Sequence, residues 1–319
     1  MVGRQDGLPP LEDEEAGVMG LTEVDPSPVE ESPVEYRHKS YFPDQDKNDG
    51  LEDSGGFART STLGLRLGDH GPAWWLQRIQ KYSSYAFTAF TALHVTNVAL
   101  LPLATRSVAE SNRYLLLTRP YYQSSLTEPL LVVLPLALHI TSGVALRFYR
   151  RRKALERYGA ETTSDRRTIP WPALSGTSAL GYALVPLAGF HIWSARILPL
   201  YAHGDSSLIN LSYISHGFAL HPFVSFTGFT ALVGVGVWHF AWGAAKWLNL
   251  APSQVKSTES QKSLVKKRRW YIINGISAAV ALLWLAGGLG VVGRDGKVDG
   301  WIGREFDELY SYFPIVGKR

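Results

Sequence analysis

The chain has 319 residues, 45% of them hydrophobic, a formal charge of +4 and no cysteine. The missing cysteine excludes a disulfide framework, a thiolate metal site and a cysteine nucleophile. The positive charge is not a nucleic-acid signal, because the basic residues flank long apolar runs, where membrane orientation accounts for them. Residues 1–70 come first and are polar. Asp6, Glu12, Asp13, Glu14, Glu15, Glu23, Asp25, Glu30, Glu31 and Glu35 crowd this stretch, and prolines at 9, 10, 26, 28, 33 and 43 block helix continuation. Such a segment buries too little apolar surface to offset chain entropy, which predicts a disordered acidic tail over 1–70. It has neither the apolar run of a secretory signal nor the basic, acid-poor composition of a matrix presequence. Targeting is therefore expected through the membrane segments, from the cytosol, into the mitochondrial outer membrane or the endoplasmic reticulum.

Five apolar segments follow, at 79–103, 128–148, 174–198, 222–247 and 271–292. Each reaches the ~20 residues that cross ~30 Å of hydrocarbon as a helix. The loop after the second carries Arg147, Arg150, Arg151, Arg152, Lys153, Arg157, Arg166 and Arg167. The loop after the fourth carries Lys246, Lys256, Lys262, Lys266, Lys267, Arg268 and Arg269. The opposite loops hold only Arg106, Arg113 and Arg119, and then Arg196. Basic loops stay cytosolic, which predicts a cytosolic N-terminus and a C-terminus across the membrane.

The membrane region, 71–292, repeats itself. Tyr85, His94 and Pro102-Leu103 share the pattern Y-x8-H-x7-P-L with Tyr182, His191 and Pro199-Leu200. His139/Gly143 and His239/Gly243 share H-x3-G. The fold class expected is an all-α membrane protein with five transmembrane helices, the first four as two repeated hairpins in a bundle. After it, 293–319 forms a C-terminal amphipathic segment. Trp301, Ile302, Phe306, Leu309, Tyr310 and Phe313 lie at helical spacing, for a helix on the far membrane surface or packed on the bundle end.

Each of the first four spans carries one histidine near its middle: His94, His139, His191 and His239. A polar group in the bilayer core is expensive and is commonly functional. Neutral imidazole is a good ligand for haem iron, so the four are candidate iron ligands for a b-type haem. His94 and His139 are expected at matching depth, with His191 and His239 their counterparts. Gly143 and Gly243, one turn away, would make room for a macrocycle edge. Two haems, or one with two histidines left over, both satisfy this pattern. So does a set of buried imidazoles hydrogen-bonded between helices. Zinc lacks carboxylate or thiolate partners at that depth. His203, His216 and His221 read as surface or interfacial polarity. No phosphate loop, nucleophile elbow or H-E-x-x-H helix is present, so no enzyme is expected.

Within the acidic tail, Leu21 and Val24 precede Pro26-Ser27-Pro28. Prolines so spaced pre-set an extended backbone that docks into a groove at low entropy cost, with the apolar residues as anchors.

The stretch LQRIQKYSSYAFTAFTALHVTNVALLPL (76–103), with GYALVPLAGFHIWSARILPL and the H-x3-G spans, resembles the fungal Mdm-ten-complementing protein family of the mitochondrial outer membrane. The resemblance implies a multi-pass, five-span domain related to the membrane anchors of succinate dehydrogenase and fumarate reductase. Those anchors hold haem b between helices, which carries over to His94, His139, His191 and His239. It also implies a receptor that recruits a bridge-like lipid-transfer protein of the vacuolar-protein-sorting-thirteen class and supports mitochondrial lipid homeostasis. The recruiting positions would be Leu21, Val24, Pro26 and Pro28; Asp25 stands where the family signal is hydrophobic. The alternative implied is a haem-binding membrane protein in electron transfer or haem handling. Membrane lipids are expected partners and nucleic acid is not.

Overall fold

Prolines shape the helices of this bundle. The computed structural model describes residues 70–256 and 259–313. The acidic segment, with Leu21, Val24, Pro26 and Pro28, lies outside the described residues. Among the described residues, five helices are long and apolar enough to cross a membrane: Pro72–Thr105, Glu128–Arg157, Gly176–His203, Pro222–Gln254 and Gln261–Arg294. They coincide with the five expected spans and overrun them at their ends. Pro72 and Pro222 open the first and fourth, where a missing N–H costs nothing. Ser175 caps the third by accepting from the Ser178 N–H at 3.3 Å.

Three spans contain a single π-helical turn, at Thr96–Leu100, Glu128–Val133 and Trp193–Ile197. Each ends at a Leu-Pro pair: Leu101-Pro102, Leu134-Pro135 and Leu198-Pro199. Proline lacks the N–H that would close an ordinary turn, and its ring clashes with the carbonyl four residues back. The preceding leucine instead donates one residue further back, to the carbonyls of Thr96, Pro129 and Trp193 respectively. Satisfying the backbone by a π adjustment is what hydrocarbon demands of a proline-bearing span.

The π turns also report the repeat. Thr96–Leu100 and Trp193–Ile197 lie 97 residues apart, the offset that relates His94 to His191 and Pro102 to Pro199. The first span packs on the second and the third on the fourth, giving the two expected hairpins. The fifth span packs against the first and the fourth.

The loops are more structured than their composition suggests. Helices at Val108–Gln123 and Leu211–Leu220 bridge the spans on one side of the bundle. Asn112 joins them, donating to Ser212 Oγ at 3.0 Å and accepting from the Leu211 N–H at 2.9 Å. Arg119 adds bonds to the carbonyls of Ser207, at 3.1 Å, and Ile209. On the other side, Arg151 is buried and donates to the carbonyls of Ile169 (2.9 Å) and Pro170 (2.8 Å). Arg147 bonds the Pro172 carbonyl at 2.8 Å, and both guanidinium groups lie over the Trp171 ring. Two cations of the basic loop thus hold its backbone in place.

The C-terminal helix Gly300–Ser311 packs on the bundle end. Phe306 and Leu309 are fully buried and, with Tyr310 and Phe313, meet Leu198, Ile209 and Tyr213. Trp301 stays exposed. His216 corrects the reading of it as surface polarity, since it is 0% exposed. Its Nδ1 accepts from the Val298 N–H at 3.1 Å, which leaves the proton on Nε2 to donate to Asp307 at 2.9 Å. Burial pushes the Asp307 carboxyl up, but the bonds from His216 and Lys297 outweigh it and hold the group below the usual carboxylate range. Nothing in the sequence around His216 marks this; the partner acid lies 91 residues away.

Candidate functional site

The four span histidines face each other in two pairs, and each pair joins corresponding residues of the two repeats. The rings of His94 and His191 lie 5.9 Å apart, and those of His139 and His239 lie 6.0 Å apart. The pairing therefore runs between hairpins rather than within one. The expectation that His94 and His139 share a depth is corrected. His139 Nδ1 lies 3.1 Å from the Gln80 carbonyl. Gln80 precedes His94 by fourteen residues of uninterrupted α-helix, which is about 20 Å along the span. The imidazoles form two layers, which removes the arrangement in which His94 and His139 hold one group between them.

The lower layer is orientated by the backbone. His139 Nδ1 meets the Gln80 carbonyl and His239 Nδ1 meets the Thr177 carbonyl at 3.0 Å. Gln80 and Thr177 are again 97 residues apart, so the bond itself is duplicated. A carbonyl only accepts, so each Nδ1 carries the proton and each Nε2 keeps its lone pair. That tautomer is the one a histidine ligand presents to a metal, with the second nitrogen fixed by a carbonyl. In the upper layer His94 is stacked by Phe90 at 5.5 Å and His191 is flanked by Phe229 at 5.9 Å.

A row of rings links the layers. From His94 it passes through Phe90 and Phe87 (5.5 Å apart), then Phe240 (6.5 Å from Phe87), to His239 (6.2 Å from Phe240). These phenyl side chains offer no hydrogen bonds, so the row joining the two imidazole layers is apolar.

The glycines divide. A Cβ at Gly143 would lie 2.7 Å from Gln80 Nε2, so its space is taken by the Gln80 side chain. Gly243 has nothing within 4 Å of such a Cβ. Gly181, which the sequence does not single out, is the residue that admits a histidine. A Cβ there would lie 2.8 Å from His239 Cε1. Tyr85 and Tyr182 are exposed; Tyr182 follows Gly181, which packs on His239, and Tyr85 lies between the Gln80 and His94 levels of the first span.

A multi-pass membrane bundle whose core is a duplicated hairpin with paired imidazoles is the class of protein these features define. The family described as MDM10-complementing protein 1, transmembrane domain, matches residues 186–297, from within the third span through the fifth. Over this stretch the chain is similar to the MDM10-complementing protein 1 family. No curated protein and no solved structure matches it.

Proposed function

We propose that the protein is a receptor of the mitochondrial outer membrane, with its N-terminus in the cytosol. It recruits a bridge-like lipid-transfer protein of the vacuolar-protein-sorting-thirteen class and so supports mitochondrial lipid homeostasis. The observation that carries this reading is the joining of two parts in one chain. A membrane domain similar to the MDM10-complementing protein 1 family is preceded by an acidic segment bearing Leu21, Val24, Pro26 and Pro28. The basic loops after the second and fourth spans favour the cytosol for that segment, by the rule that arginine and lysine stay on the side of insertion. Recovery of the lipid-transfer protein on immobilised full-length chain should fall at least tenfold with Pro26→Ala/Pro28→Ala. That is about 1.4 kcal/mol or more of docking free energy. Equal recovery with wild type and variant removes recruitment from this segment.

A second reading rests on the imidazole layers: the bundle holds haem b. The imidazole chemistry suits haem iron, while the Gln80 side chain occupies the space at Gly143 that a macrocycle edge would take. Neutral imidazole is a ligand for haem iron, and His139 and His239 would offer it the Nε2 that their carbonyl bonds leave unprotonated. His139 with His239, and His94 with His191, would be the ligand pairs, and the group would supply one-electron chemistry. The protein's own part is to fix the ring tautomers. Chain purified in mild detergent, from cells supplied with haem, should show a Soret band that His239→Ala diminishes. A spectrum without that band ends this reading and leaves recruitment untouched.

A further inference from the structure

We propose that His203, Glu305 and Glu308 form a binding site for a divalent cation of the zinc class, clamping the C-terminal helix to the end of the third span. His203 is the last residue of helix Leu198–His203, and Glu305 and Glu308 lie one turn apart on helix Gly300–Ser311. One ligand atom from each of the three lies within 4.8 Å of the others. His203 Nε2 stands 3.6 Å from Glu305 Oε2. In a tetrahedral zinc site with bonds of about 2.0–2.2 Å, neighbouring ligand atoms are roughly 3.4 Å apart. The His203–Glu305 edge of that tetrahedron is therefore close to its required length, and the Glu308 carboxylate lies within 4.8 Å of both.

The second observation is the nitrogen itself. His203 Nε2 is enclosed by protein and has no hydrogen-bond partner among the described residues, although its side chain is 17% exposed overall. Its contact with the Glu305 carboxylate, at 3.6 Å, is too long for a hydrogen bond, and a buried nitrogen left without one calls for an explanation. Here it faces the carboxylates of Glu305 and Glu308. Asp205, two residues along, is close enough to interact electrostatically with His203 and adds a third negative group. A doubly charged cation satisfies the nitrogen and the carboxylates together. The ligand set selects the metal. Imidazole suits zinc and its first-row neighbours, whereas magnesium and calcium take oxygen ligands alone. Three protein ligands leave one position for water. The consequence is mechanical: the helix carrying Phe306 and Leu309 becomes tied at two points, by its apolar face and by the metal.

The test uses full-length chain in detergent, stripped with a chelator and titrated with Zn2+ against a chromogenic competitor. The expected result is one tight Zn2+ per chain, weakened roughly tenfold or more by His203→Ala and by Glu308→Gln. Zn2+ should also raise the unfolding midpoint of wild type and not of either variant, and millimolar Mg2+ should not compete. Glu308 is exposed, so Glu308→Gln keeps the test decisive if His203→Ala fails to fold. Zn2+ binding that Glu308→Gln leaves unchanged, or the absence of tight binding, overturns the site. Equal competition by Mg2+ overturns the assignment to zinc.

Discussion

Replacing Arg196 with alanine should destabilise the folded bundle by about 3–5 kcal/mol, toward the lower end because the site is partly wet. Arg196 is in the π turn of the third span and Glu128 in that of the second. Their contact is two-pronged. The Arg196 Nε–H donates to Glu128 Oε1 at 2.6 Å, and one terminal amino group donates to Oε2. The other terminal group donates to Ser206 Oγ. The side chains are 24% and 20% exposed, well below the exposure at which ion pairs contribute little. Removing one partner leaves the other charge poorly hydrated between helices, which is why single truncation costs more than the pair contributes. Unfolding in detergent should show the loss for Arg196→Ala and for Glu128→Ala. The double variant Arg196→Leu/Glu128→Leu should recover much of it. A change within about 0.5 kcal/mol of wild type for Arg196→Ala would show that this pair does not hold the two hairpins together.

That pair also marks where sequence reasoning stopped. Five spans and a duplicated hairpin were legible, because hydrocarbon imposes a length and excludes charge, and because Tyr85/His94/Pro102 and Tyr182/His191/Pro199 repeat at one offset. The histidines were legible as a set for the same reason. Their pairing was not. Sequence gives each histidine a position along its own helix, whereas depth depends on how far neighbouring helices slide past each other. His139 ended level with Gln80 rather than with His94 for that reason. Gly181 was invisible because the atom it makes room for belongs to His239, 58 residues on. The π turns had a readable signal, the three Leu-Pro pairs, whose meaning depends on the backbone closing around a missing N–H. His216 was misread because a loop histidine looks the same whether water or Asp307 takes its proton.

The repeat also explains how one register position serves two ends. Arg196 in the second copy corresponds to Ala99 in the first, again 97 residues earlier. Where Arg196 reaches out to Glu128, Ala99 is fully buried and lets the fifth span come close. The duplicated hairpins thus differ where each meets something the other does not. The fifth span has no repeat partner, and only the first copy needs a flat surface to receive it.

The second large effect is expected at that surface, on replacing Gly287 with alanine. A Cβ at Gly287 would lie 1.9 Å from the Ala99 carbonyl oxygen and 2.7 Å from its carbon. Both are backbone atoms of a π turn that already spends its hydrogen bonds around Pro102, so neither can turn aside as a side chain would. The fifth span must move away. Small residues let membrane helices approach, and dispersion at that contact replaces the hydrophobic drive that lipid does not supply. Overpacking of this kind costs typically 1–3 kcal/mol, and an obstacle made of backbone places Gly287→Ala at about 3 kcal/mol, with Gly287→Leu worse. Gly275, on the same helix, is the internal control, since a Cβ there meets nothing within 4 Å. Gly275→Ala should be neutral or gain up to about 1 kcal/mol from reduced chain entropy. Unfolding midpoints of the two variants in one detergent decide the matter. If Gly287→Ala and Gly275→Ala behave alike, the fifth span does not rest on the first through this glycine. If they separate in the stated order, the first repeat is the platform on which the unrepeated helix is seated.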